Sequence, residues 1–143
     1  MTFSLQPAHI PRALVAATVF SLLAGAALAK DVKVSLTGAE ETPPVTTSAT
    51  GEGQITIAKD HTVKGEIKTV GINGVAAHIH VGAPGQAGPP IITLTKGADG
   101  TWSVPDGSKL TDEQFASFTS GNLYVNVHSA DHKSGEIRAQ LKP

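Results

Sequence analysis

Apolar and polar residues take turns, one for one, over five short stretches of this chain. They are residues 32–36 (VKVSL), 54–58 (QITIA), 63–68 (VKGEIK), 123–128 (LYVNVH) and 136–141 (EIRAQL). A period of two sends successive side chains to opposite faces of an extended strand, one buried and one wetter. Turn-forming clusters separate them: Lys59-Asp60-His61, Asn73-Gly74, Asp99-Gly100 and Pro105-Asp106-Gly107. Short strands at this spacing predict an all-β antiparallel sandwich or barrel. One segment departs from the pattern. Thr111 followed by Gln114 forms a capping box ahead of Phe115 and Phe118, and Gly121 stands where a helix ends. A short helix over about 111–119 is therefore expected, packed on the sheets through its two phenylalanines. The polar, proline-containing stretch 41–48 (ETPPVTTS) reads as a connection ordered only where it touches the domain.

The N-terminus has a different character. Arg12 precedes an apolar run over 13–28, which ends in Ala27-Leu28-Ala29 and the polar Lys30-Asp31. A positive region, an apolar region and an A-x-A site make a secretory signal peptide over 1–29, with cleavage after Ala29. One domain then fills 30–143, and the expected location is periplasmic or secreted. The formal net charge is −1 and no basic patch is present, so nucleic acid is not an expected partner. Once the signal is removed, nothing left is apolar enough to span a membrane. The chain has no cysteine, which rules out disulfides and thiolate metal sites. A metal would have to be held by histidine, carboxylate, amide or backbone.

The six histidines are unevenly placed. If 77–81 is a strand, His78 and His80 share one face and Ile79 points to the other, with the two imidazoles roughly 6–7 Å apart at the backbone. They can converge on one ion, or they can simply lie on a wet face. Alternation over 123–128 sends Leu123, Val125 and Val127 inward and gives Tyr124, Asn126 and His128 the opposite face. The next strand adds Glu136, Arg138 and Gln140 to its polar side, across the connection 130–135. This brings His128 near Glu136, whose carboxylate can hold an imidazole from behind or pair with Arg138 or Lys133. His78, His80 and His128 are the candidate metal ligands, with His132 in the loop as a further one. Glu136, Asn126 and Tyr124 are the candidate supports around them. His61, in the turn 60–62, is expected in solvent.

These residues carry a resemblance. The stretches 36–44 (LTGAEETPP), 51–53 (GEG), 77–82 (AHIHVG) with Gly85 and Gly88-Pro89, 121–129 (GNLYVNVHS) and 135–140 (GEIRAQ) together resemble the CHRD domain, a module first named from chordin. The resemblance covers nearly all of 30–143. It implies an immunoglobulin-like or superoxide-dismutase-like antiparallel β-sandwich, often found in small exported bacterial proteins, and implies little about activity. A local likeness adds to it. His78-Ile79-His80 before a glycine is similar to the H-x-H strand of copper–zinc superoxide dismutases, whose two histidines bind copper. That likeness implies copper at His78 and His80, with His128 as a third ligand. It stops there: the disulfide and the zinc-loop histidines have no counterpart, and 82–90 carries no ionisable side chain.

Three readings follow. The first is an exported protein that binds copper through the histidine cluster for metal handling rather than catalysis, with zinc less favoured than copper. The second is a structural or protein-interaction module without metal, its histidines hydrogen-bonded across the sheet and its 82–90 loop facing a protein partner. The third is a dismutase-like redox enzyme. No nucleophile elbow or phosphate cradle supports another enzyme class.

Overall fold

The computed structural model describes residues 1–2 and 28–143, so the signal peptide expected over 1–29 lies outside the described residues apart from its ends. The strands are β1 (Ala29–Thr37), β2 (Thr50–Ala58), β3 (Val63–Val70), β4 (Gly74–Val81), β5 (Pro90–Thr93), β6 (Thr95–Lys96), β7 (Thr101–Ser103), β8 (Leu123–Ser129) and β9 (Ile137–Leu141). A 3-10 turn, Gly38–Glu40, follows β1, and the helix α1, Asp112–Thr119, precedes β8. All pairings are antiparallel, in the order β5-β4-β8-β9-β1-β2-β3-β7-β6. The all-β expectation holds, as does the short helix.

The sheet curls nearly into a barrel. Its two outermost strands, β5 and β6, are consecutive in the chain and separated only by Leu94. The Leu94 amide donates to the Ala77 carbonyl at 2.9 Å, and Lys96 Nζ donates to the Gly74 carbonyl at 2.6 Å. Both bonds tie the far end of the sheet back to β4. On the other side, β1 and β9 pair only at Thr37 and Arg138. Beyond that point they part, and a cleft of about 360 Å³ opens, lined by Asp31, Lys33, Thr37 and Gln140 among others. It contains none of the histidines.

The period-two pattern fills the interior. Val32, Val34 and Leu36 of β1, Ile55 and Ile57 of β2, Ile67 of β3, and Ala77 and Ile79 of β4 are buried together. Leu123, Val125 and Val127 of β8 and Ile137, Ala139 and Leu141 of β9 complete the wall, with Trp102 of β7 closing one end. Burying each such Leu, Ile or Val contributes about 1.5–3 kcal/mol. Thr111 caps α1 as expected: its hydroxyl accepts from the Gln114 amide at 3.2 Å, and the Gln114 side chain accepts from the Thr111 amide at 3.0 Å. Phe118 anchors the helix in the core and Phe115 packs at its margin. Among the described residues no helix is long and apolar enough to cross a membrane.

One local expectation changes. His61 is not free in solvent. A positive φ of 71° swings its ring onto Phe115, centroid to centroid 4.3 Å, with Nδ1 at 3.4 Å from Asp112 Oδ1. The 41–48 connection touches the domain at several points, while Pro43, Pro44, Thr46 and Ser48 stay exposed. Glu41 is buried, the Gly38 carbonyl accepts from the amides of Glu41 and Val45, and Thr47 Oγ1 donates to Glu136 Oε1 at 2.7 Å.

Candidate metal centre

The outer faces of β4, β8 and β9 are where sequence and structure differ most. Alternation gives β8 one wet face, yet all seven of its residues are buried. Loop 82–90 folds back over that face after β4. The hairpin 130–135 and the 38–49 segment cover its other parts. The covered face therefore carries polar side chains in a dry setting, where each needs a partner. On β4 the pairing with β5 slips at Ile79/His80, so that His80 sits opposite Pro90. Such bulges re-aim a side chain. On the β8 side the ladder runs regularly there, with His78 opposite Asn126, His80 opposite Tyr124 and Ala76 opposite His128.

These registers bring three imidazoles together. His78, His80 and His128 each offer one ring nitrogen, and the three atoms lie within 4.8 Å of one another. Atoms so spaced all fall about 2.8 Å or less from a common centre, against roughly 2.0–2.1 Å for a zinc–imidazole bond. His78 is half-buried, while His80 and His128 are 7% and 9% exposed.

Backbone carbonyls fix the tautomers of the two inner rings. His80 Nδ1 faces the Gly88 carbonyl at 2.8 Å, and His128 Nδ1 faces the Lys133 carbonyl at 2.9 Å. A carbonyl only accepts, so each Nδ1 carries the proton and each Nε2 presents a lone pair. The network assigns these protons. His128 Nε2 accepts from His78 Nδ1 at 3.0 Å. His80 Nε2 is buried with no hydrogen-bond partner. Burial first, then the neighbouring His128 and His80 rings, holds His78 below the ordinary imidazole range. For His80, burial again lowers the value most. The Gly88 carbonyl works against it, and His128 and Arg138 add to it. Neutral imidazoles with free lone pairs are the form that binds a metal.

A stack supports His80 from behind. The Tyr124 ring lies parallel to it, 4.7 Å away with an interplanar angle of 5°. On the far side of Tyr124 the Arg138 guanidinium sits 3.5 Å from the ring centroid. Arg138 is 2% exposed. Its Nη1 donates to the Gln86 carbonyl at 2.9 Å and to Thr42 Oγ1 at 3.4 Å. Its Nη2 donates to the Ala83 carbonyl at 3.0 Å and to Gln140 Oε1 at 2.9 Å. Arg138 thereby pins the loop whose Gly88 carbonyl orients His80. The Gly88 amide also donates to the Tyr124 hydroxyl at 3.2 Å.

The structure brings together three of the four candidate ligands. His132 does not join them. It lies in the hairpin 130–135, where its carbonyl accepts from the amides of Ser129 and Gly135. Glu136 does not hold an imidazole either, since the Lys133 carbonyl occupies that place at His128. Glu136 instead accepts from Thr47. Tyr124 does support the cluster, by stacking, and Asn126 stands on the same face. Sequence reading missed the parts of Arg138, Glu41, Gly88 and the Lys133 carbonyl. Only one signal pointed at them: a loop directly after H-x-H with no ionisable side chain can offer little except its backbone.

A family model for the CHRD domain matches residues 32–141. No curated protein and no solved structure shows a significant match to the chain. The matched span takes in eight of the nine strands whole and most of β1, the loop 82–90 and all three clustered histidines, and the chain belongs to the CHRD domain family.

Proposed function

We propose that this is an exported copper-binding protein, which holds the metal at His78, His80 and His128 for handling rather than catalysis. The observation that carries the reading is His80 Nε2: a buried lone pair without a donor, aimed where two other ring nitrogens meet. An unsatisfied buried acceptor costs about 1–3 kcal/mol. A cation at that point removes the cost, and two carbonyl-oriented imidazoles are the usual arrangement behind one. Without cysteine the donors are nitrogen and oxygen, and at such sites copper outcompetes other divalent ions. Zinc is the lesser alternative. Export rests on the A-x-A pattern before Lys30. The likeness to copper–zinc dismutases ends at this cluster: those enzymes pair copper with zinc across a bridging imidazolate, and among the described residues no second group of three or more metal-competent side chains occurs.

A second reading has one observation behind it. The His78–His128 bond satisfies both atoms without metal, as in a structural module that meets a protein partner. Calorimetric titration of the 30–143 protein with Cu(II), and with Cu(I) under reductant, separates the two. One-to-one binding tighter than about micromolar, lost in His80→Ala, is expected. A folded wild type that binds neither ion refutes the metal reading and favours the structural one.

A further inference from the structure

A second buried acceptor on the same face lacks a donor. Asn126 is 1% exposed, and its Oδ1 has no hydrogen-bond partner. The orientation of the amide is set by its other end. Nδ2 donates to Glu41 Oε1 at 3.3 Å and to the Ser134 carbonyl at 3.4 Å. The Ser134 carbonyl is an acceptor only, so the nitrogen belongs there and the oxygen turns the other way.

Register places that oxygen within the histidine cluster's own face. Asn126 is the cross-strand partner of His78 and stands two positions before His128 on β8. His80 stands two positions beyond His78 on the same face of β4, so Asn126 shares that face with all three rings. Two buried acceptors without a hydrogen-bond partner, Asn126 Oδ1 and His80 Nε2, thus lie on one dry face. Leaving both bare costs about 1–3 kcal/mol each. A cation satisfies both at once, beside His128 Nε2, whose bond from His78 it would replace.

We infer that the Asn126 amide oxygen is the fourth ligand of this site, which makes it a three-imidazole, one-oxygen centre selective for a divalent ion over Cu(I). The inference rests on the metal reading and deepens it. Three imidazoles alone suit either oxidation state of copper. A neutral oxygen donor adds to the binding of the harder Cu(II) or Zn(II), which take four ligands or more, and adds little to soft Cu(I).

The test uses the whole 30–143 protein, loaded with Cu(II) after growth on asparagine labelled with ¹³C at Cγ. The chain has three asparagines, Asn73, Asn122 and Asn126, and only Asn126 lies in the strands that carry the cluster. Electron–nuclear double resonance is expected to show imidazole nitrogen couplings and a strong ¹³C coupling that disappears in Asn126→Leu. In that variant Cu(II) affinity should fall about ten-fold while Cu(I) affinity stays within about two-fold. Because Asn126→Leu can fail to fold, the wild-type ¹³C signal decides by itself. Nitrogen couplings without a strong ¹³C coupling mean that a water fills the space, which overturns the oxygen ligand and leaves the metal reading standing. Failure of the folded protein to bind Cu(II) overturns both.

Discussion

Replacing Arg138 with alanine should cost about 3–5 kcal/mol, the range for removing one member of a buried charged network. The structure supplies the terms. Four hydrogen bonds from a guanidinium are lost, two of them to loop carbonyls and two to side chains. Each charged hydrogen bond is worth about 1.5–3 kcal/mol when its partner stays buried. Gln86 is exposed and Ala83 half-buried, so water repairs part of that loss. The stack on Tyr124 adds about 0.5–2 kcal/mol. Glu41, a buried carboxylate whose pKa is raised chiefly by burial, loses a nearby positive charge and becomes harder still to ionise. Arg138→Lys keeps a charge but not the fork, and should cost about half as much. Urea denaturation gives the stability. Amide exchange of residues 82–88 reports whether the loop comes loose, and Cu(II) titration of the folded variant reports whether His80 has lost its Gly88 orientation, an effect of about 10–100-fold. A loss below about 1 kcal/mol, or a large loss with the loop still protected, would refute the view that Arg138 holds the loop over the site.

Two further outcomes follow from the same face. A methyl group at Gly88 would overlap the Val81 carbonyl oxygen, so Gly88→Ala must displace the carbonyl that orients His80; Cu(II) affinity should fall at least about ten-fold while the melting temperature moves only a few degrees, as titration and thermal melts would show. Thr47→Val removes the bond to Glu136 and should cost about 1.5 kcal/mol at neutral pH. Burial pushes the Glu136 carboxyl up, but hydrogen bonds from Ser129 and Thr47, with help from His132, outweigh it and hold the group below its usual value of 4.5. A carboxyl lowered in the folded state lends stability above pH 4.5, which is lost as pH falls through the folded value. The difference between Thr47→Val and wild type should therefore shrink on acidification in pH-resolved denaturation, and a gap that stays constant would count against it.

Five strands could be read from alternation, because each sends every second side chain into a common core, and the histidine pair pointed to a sixth over 77–81. The capped helix could be read as well, since Thr111 and Gln114 act within one turn. Strands β5 to β7 were not legible: four, two and three residues long and interrupted by Pro90 and Gly97, they carry too little pattern. The convergence of His78 with His80 follows from a period of two, and that of His128 from its place on the polar side of its own strand. What the sequence hides is the cover over them. Alternation makes Tyr124, Asn126 and Arg138 look solvated, whereas residues far along the chain shut them in: Gly88 at Tyr124, Glu41 at Asn126, and Ala83 and Gln86 at Arg138. The partner of His128 is a carbonyl, at Lys133, and backbone carbonyls leave no trace in residue identity. That is why the carboxylate of Glu136 looked like the natural candidate and was not the one used.

Strand β8 serves two masters in alternation. Its odd-numbered positions, 123, 125 and 127, belong to the apolar interior, and its even-numbered positions, 124, 126 and 128, belong to the histidine face. Parity along these six consecutive codons therefore divides the effects of mutation. Changes at odd positions act on the apolar interior, and changes at even positions act on the histidine face and on the bonds that close it. Single substitutions at even positions therefore change the histidine face without touching the apolar packing of the odd ones.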